Sequence, residues 1–164
     1  MTAEFILGPY FFEEDNEGAL KTVTVNGQRY HHLLLSYVLP KLRELPEEVQ
    51  SAMIFQQDGA PPHIFTPVKN LLREFFGDRI ISRHFPNLWP PRSPDLNPLD
   101  YWLWGYLGQR VFQRGPKSIL QLKDAIREEI SALISDQLRD AVESFSGRVA
   151  AVIENDGAHI EHLR

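Results

Sequence analysis

Apolar and polar positions alternate along this chain in two distinct rhythms. Tyr30, Leu33, Leu34, Tyr37 and Val38 keep i, i+3, i+4, i+7, i+8 spacing and predict a helix opened by Asn26-Gly27. Pro40 should end or kink it, with the tail running out near Leu45-Pro46. Val68, Leu71, Leu72, Phe75 and Phe76 give a second helix, with Thr66 as its cap, Pro67 at its first position and Gly77 just past its end. Beyond Gly115 the pattern is helical throughout. Ser118-Ile-Leu-Gln121 is a capping box, and Ile119, Leu122, Ile126, Ile130 and Leu133 continue its apolar stripe. Ser135-Asp136 restarts a last helix with Leu138, Val142, Phe145, Val149 and Val152 inward.

The strand rhythm is confined to the first half. Residues 5–12 read as a strand in which Gly8-Pro9 is a bulge or an edge feature. Residues 13–18 are a polar turn, and residues 19–25 form the returning strand of an antiparallel hairpin. Ala52-Met-Ile-Phe55 is a short buried strand, and Ile80-Ile81 another. The resulting order is strand, strand, helix, strand, helix, strand, helix. Strands joined through helices on a mixed sheet predict an α/β layered domain.

Two stretches do not fit an ordinary packing role. Trp89-Pro-Pro-Arg-Ser-Pro-Asp-Leu-Asn-Pro-Leu-Asp-Tyr-Trp-Leu-Trp104 begins as a stiff loop, because each proline fixes its own φ and holds its predecessor out of the helical region. It then becomes a helix: Asn97 is a good N-cap, Pro98 suits the first position, and Leu99, Trp102, Leu103 and Tyr106 supply a docking stripe. Asp100 is thereby delivered to a helix start. Upstream, Phe55-Gln-Gln-Asp-Gly-Ala-Pro-Pro-His63 places Asp58 at the C-terminal end of a strand, where sheet-based active sites are commonly built. Two carboxylates on separate rigid elements can share divalent cations that stabilise the attacking and leaving oxygens of phosphoryl transfer.

These two motifs together resemble the catalytic core of mariner-type transposases, within the DDE/DDD group of transposases with a ribonuclease H-like fold. The resemblance implies an α/β, ribonuclease H-like mixed sheet flanked by helices, lacking its first strand, with a C-terminal helical pair. It is strong over residues 5–112 and rests on helix pattern alone beyond. It implies that Asp58 and Asp100 are the second and third catalytic metal ligands, that Asp95 belongs to the motif without being a ligand, and that Mg²⁺ or Mn²⁺ is the cofactor of a two-metal site. It further implies DNA as partner, the transposon ends and target, and a nuclear location. On this basis residues 1–114 are a truncated transposase core and residues 115–164 a helical extension packing on it.

The sequence departs from that pattern in two ways. The strand that carries the first catalytic Asp in relatives lies upstream of the segment matching residues 6–12, and Asp15, in a hydrophilic turn after the wrong strand, is no substitute. Forty-one residues separate Asp58 from Asp100, a longer gap than in the best-known members, with the extra length expected between Phe76 and Trp89. The expected function is therefore a transposase-derived endonuclease domain for metal-dependent strand cleavage and transfer, inactive as this chain for want of the first Asp. The alternative is a domesticated, non-catalytic remnant that binds nucleic acid or protein, and an unpaired sheet edge would also favour a homodimer.

Composition changes this little. The chain has 164 residues, 43% hydrophobic and 11% aromatic, enough for one core. With no cysteine it has neither a disulfide framework nor a thiolate zinc site. No apolar run approaches a membrane span, and without a signal-like start an intracellular location is the default. Net charge is −5, which does not favour polyanion binding, although a catalytic core can be acidic if its Asp residues await metal and a separate domain grips the DNA.

Each singled-out residue also has a plainer reading. Asp58 before Gly59 can be a turn residue, and Asp100 a first-turn acid. His63 is either a partner of the Asp58 loop or metal site, or a structural loop histidine. Trp89, Trp102 and Trp104 read as packing aromatics rather than base-stacking platforms. Arg79, Arg83, Arg92 and Arg110 line a phosphate track or are scattered solvated cations. His159 and His162 have i, i+3 spacing but no third ligand, which favours a frayed terminal helix.

Overall fold

The computed structural model describes residues 1–161. The chain forms two compact units, one of Tyr10–Pro91 and one of Met1–Pro9 with the chain from Arg92 onward.

The first unit opens on a hairpin, β1 (Glu13–Asn16) antiparallel to β2 (Ala19–Thr22), with Asn16 opposite Ala19. Its two-residue turn is Glu17-Gly18, both at positive φ, the backbone that matches strand twist in tight hairpins. Asp15 closes it by accepting a hydrogen bond from the Gly18 amide at 2.8 Å. The hairpin is thus present but displaced: residues expected to form the turn form β1, and residues 5–12 form no strand. Pro9 has no amide proton to contribute to a ladder. The bond from Val23 N to Phe12 O, 2.9 Å, extends the pairing backwards.

Asn26 caps α1 (Gly27–Leu33), its Oδ1 accepting from Arg29 N at 2.9 Å. The helix widens into a π-type turn at Leu34–Val38 and continues as α2 (Leu39–Arg43). Pro40 lacks the N–H that would continue the α ladder, and the chain absorbs the lost bond in this wider turn without stopping. Pro46 then opens a short helix that the apolar pattern did not announce, α3 (Glu47–Ala52), with Glu47 and Glu48 in its first turn, where the macrodipole favours acids. Arg79 donates to the carbonyls of Gln50 and Ser51 at its end, and to Met53 O at 3.3 Å.

β3 (Phe55–Gln56) runs parallel to β4 (Ile80–Ile81), Phe55 opposite Ile80 and Gln56 opposite Ile81. Between them lies α4 (Thr66–Phe76), with Pro67 in its first turn and Gly77 at φ 60° ending it. Val68, Leu72 and Phe76 are its buried side chains, and Ile80 is fully buried. Among the described residues the strands form two separate two-stranded pieces rather than one mixed sheet.

In the second unit the proline-rich motif forms a 3₁₀ turn (Pro94–Leu96), then a π-type turn (Leu99–Leu103) that runs into α5 (Trp104–Gln113). α6 (Ile119–Ser131) follows Ser118, whose hydroxyl accepts from Gln121 N at 3.2 Å. The reciprocal half of the expected box differs, since Gln121 Oε1 accepts from Lys117 N at 2.8 Å. Ile119 and Leu120 are exposed, and the buried face of α6 is centred on Ala125 and Glu129. Glu129 is buried because it pairs with Arg114, which also holds Glu128. α7 (Ser135–Glu154) buries Leu138, Ala141 and Arg148.

Candidate active site

Asp58 lies in the first unit, two residues past β3. The parallel ladder reaches its threshold, since Gln57 N donates to Ile81 O at 3.0 Å. Pro61 and Pro62 prevent the chain from returning as a strand, so it curls instead, with His63 N donating to Ala60 O at 2.9 Å. The loop passes close to Arg83: a Cβ at Gly59 would lie 2.8 Å from Arg83 Cδ, so any larger residue there would require the Arg83 side chain to shift.

The Asp58 carboxylate is 45% exposed. Its Oδ1 accepts from Ala60 N at 3.0 Å and from His63 Nδ1 at 2.6 Å. The His63 ring packs on Tyr30 of α1, with 4.7 Å between centroids. Tyr30 Oη donates to Gln57 Oε1 at 2.9 Å, and Gln57 Nε2 donates to His63 O at 3.3 Å. Burial pushes the Tyr30 phenol pKa well up, and the nearby Asp58 charge adds to the shift, so Tyr30 stays a neutral donor. His63 was legible in the sequence as a candidate partner of the loop. Tyr30 and Gln57 were not, because Tyr30 sat in an apolar helical stripe and Gln57 beside a motif acid.

Asp100 lies in the second unit, exposed, within the π-type turn. Asn97 caps this helix as its residue type promised: its Oδ1 accepts from Leu99 N at 3.1 Å, and its carbonyl accepts from the amides of Asp100 and Tyr101, both at 2.9 Å. The turn is wider than an α turn, with Trp104 N bonded to Leu99 O, a geometry often found at functional sites.

The motif is held from behind by Arg148 of α7. Its guanidinium lies 3.8 Å from the Tyr101 ring centroid, and Nη1 donates to Asp95 O at 2.9 Å and to Glu161 Oε1 at 2.6 Å. Tyr101 Oη donates to Ala141 O at 2.6 Å. The Asp95 carboxylate is buried and accepts from Ile160 N at 3.3 Å, with His159 Nδ1 at 3.7 Å. Asp95 is thus a packing acid. His162, the other half of the histidine pair, lies outside the described residues.

Of the remaining candidates, Trp89 and Arg79 take structural roles. Trp89 is buried, Trp104 is exposed, and Trp102 stacks on Tyr106, which in turn carries Arg110. Arg79 is committed to the end of α3. Among the described residues no group of three or more His, Asp or Glu side chains is gathered closely enough to hold a metal ion.

The chain has relatives among known transposases. The chain is 34% identical over 112 residues to the Tc3 transposase of Caenorhabditis elegans, and 29% identical over 110 residues to the Tcb2 transposase of Caenorhabditis briggsae. Each alignment covers 66% of this chain. The fold matches the catalytic domain of Mos1 transposase, solved with Raltegravir and Mg, at a TM-score of 0.72 and 24% identity, covering 87% of this chain and 70% of that one. The chain is a homologue of the mariner-type transposase catalytic domain. It spans about a third of the curated relatives, 31% of Tc3 and 37% of Tcb2 transposase. No protein-family profile matches it. Mos1 has also been solved as a paired-end complex with Mn, which this chain matches at a TM-score of 0.71 and 24% identity, covering 87% of itself and 39% of that chain. No helix among the described residues of this transposase homologue is long and apolar enough to cross a membrane.

Proposed function

We propose that this chain is part of a ribonuclease H-like DDE/DDD endonuclease that cleaves and transfers DNA strands, with residues 1–114 as its core and residues 115–164 as a helical extension. Asp58 and Asp100 would hold Mg²⁺ or Mn²⁺. The donor chemistry fits such a cation in kind: both are hard oxygen ligands, and neither is shut away from solvent. When bound, the cation would supply Lewis-acid activation of water or a DNA 3′-hydroxyl and charge stabilisation on the phosphodiester. The chain's own residues present two carboxylates on stiff supports, a strand end and a capped helix start. The observation that carries this reading is the occurrence of both acid-bearing motifs in a chain with the Mos1 catalytic-domain fold. DNA as partner and the nucleus as location follow from the same kinship.

Two carboxylates are one fewer than the family's set, so this chain by itself should not cleave. Supercoiled plasmid incubated with the chain and Mn²⁺ is expected to stay intact, while Mn²⁺ binding is weakened by Asp58→Ala and by Asp100→Ala. Mn²⁺-dependent nicking that disappears in Asp100→Ala would overturn the inactivity. Binding indifferent to both substitutions would overturn the metal assignment.

A further inference from the structure

We infer that His63 is a positioning residue for Asp58: its Nδ1–H pins Oδ1, leaving Oδ2 as the oxygen that takes a divalent cation. This rests on the reading of Asp58 as a metal ligand and specifies how that ligand is presented.

His63 Nδ1 faces two acceptors of Asp58, Oδ1 at 2.6 Å and the main-chain carbonyl at 3.3 Å. Neither can donate, so Nδ1 carries a proton. Oδ1 also accepts from Ala60 N, which gives that oxygen two donors. A carboxylate oxygen has two lone-pair directions, and with both engaged on Oδ1 a cation is met by Oδ2 alone. Asp58 is therefore a one-oxygen ligand in a fixed rotamer. Without the imidazole, a carboxylate 45% exposed on a loop would have to be ordered at the moment of binding.

The imidazole is held in its turn. Tyr30 packs against it with the ring planes tilted by 46°, Gln57 Nε2 ties the His63 main-chain carbonyl, and Tyr30 Oη fixes Gln57. These contacts lead from Asp58 to α1 and to the end of the parallel ladder. Hydrogen-bonded partners of metal ligands are worth about 10–100-fold in metal affinity.

The test is a Mn²⁺ titration of the 164-residue chain followed by paramagnetic loss of the Asp58, Gly59 and Ala60 amide signals. His63→Asn keeps a donor at the place of Nδ1, whereas His63→Gln moves it to the place of Nε2 and His63→Leu removes it. The expected result is that His63→Gln and His63→Leu need about tenfold more Mn²⁺ than the wild type, while His63→Asn titrates with the wild type. Imidazole ¹⁵N shifts of His63, read without metal, should report a protonated Nδ1. If His63→Leu does not fold, the Asn and Gln variants decide. Equal titration of all variants would overturn the inference and leave the metal assignment standing, as would a bare Nδ1. A wild-type chain whose loop signals ignore Mn²⁺ would overturn the metal assignment and this inference with it.

Discussion

Asp95 sits five residues before Asp100 in the same motif, yet the two acids have opposite surroundings. Asp95 is 3% exposed and answers the buried Ile160 amide, whereas Asp100 is exposed at a helix start. Asp95→Ala would leave that amide unpaired in the interior and is expected to destabilise the chain by about 1–3 kcal/mol in urea unfolding. Tyr30 offers a second check. Its pKa is raised above the phenol value of 10.0 by burial and then by Asp58, so the folded state keeps a proton that the unfolded chain releases. Stability from this source is fully present below pH 10 and is lost as pH rises beyond it. The fall in unfolding free energy above that pH should therefore be smaller in Tyr30→Phe than in the wild type, as read by denaturant titration at several alkaline pH values.

At the scale of elements, the acids stand on short structures whose ends are unusually well defined. The helix bearing Asp100 begins where Asn97 caps it, and Asn97→Ala should cost about 1 kcal/mol of stability. The same substitution should release the Asp100 and Tyr101 amides into faster hydrogen exchange, because the chain entry they bond to is no longer fixed. α1 shows the complementary constraint. A Cβ at Gly27 would meet Phe65 Cγ at 2.5 Å, so a side chain there would push the first turn of α1 away from the residue preceding α4. That contact lies on the same helix that supplies Tyr30 to His63.

For the whole molecule, charge is the deciding quantity. A chain with 22 acidic and 17 basic residues has no net positive charge to drive DNA binding by counterion release, and several of its arginines are committed to internal contacts. Electrophoretic mobility assays with a short duplex are expected to give no shift at physiological salt, and only a weak, steeply salt-dependent one below it. Size exclusion with light scattering tests the unpaired-edge route to a homodimer, which a monomeric elution would remove.

Much of this protein was determined by local chemistry. Asn26, Asn97 and Ser118 cap helices, Gly77 ends one, and Ile80-Ile81 is a strand, because capping, left-handed backbone and β-branched runs act over a few residues. The same local motifs single out Asp58 and Asp100 as candidates and make His63 a candidate partner of the first. Tertiary structure alone decided that Arg148 is buried against Tyr101, that Glu129 lies on the inner face of α6, and that the ladders form two separate pieces. It also decided that Tyr30 and Gln57 complete the support of His63. An apolar stripe records which face of a helix avoids water; it carries no sign of a polar group whose burial is repaid by a partner distant in the chain.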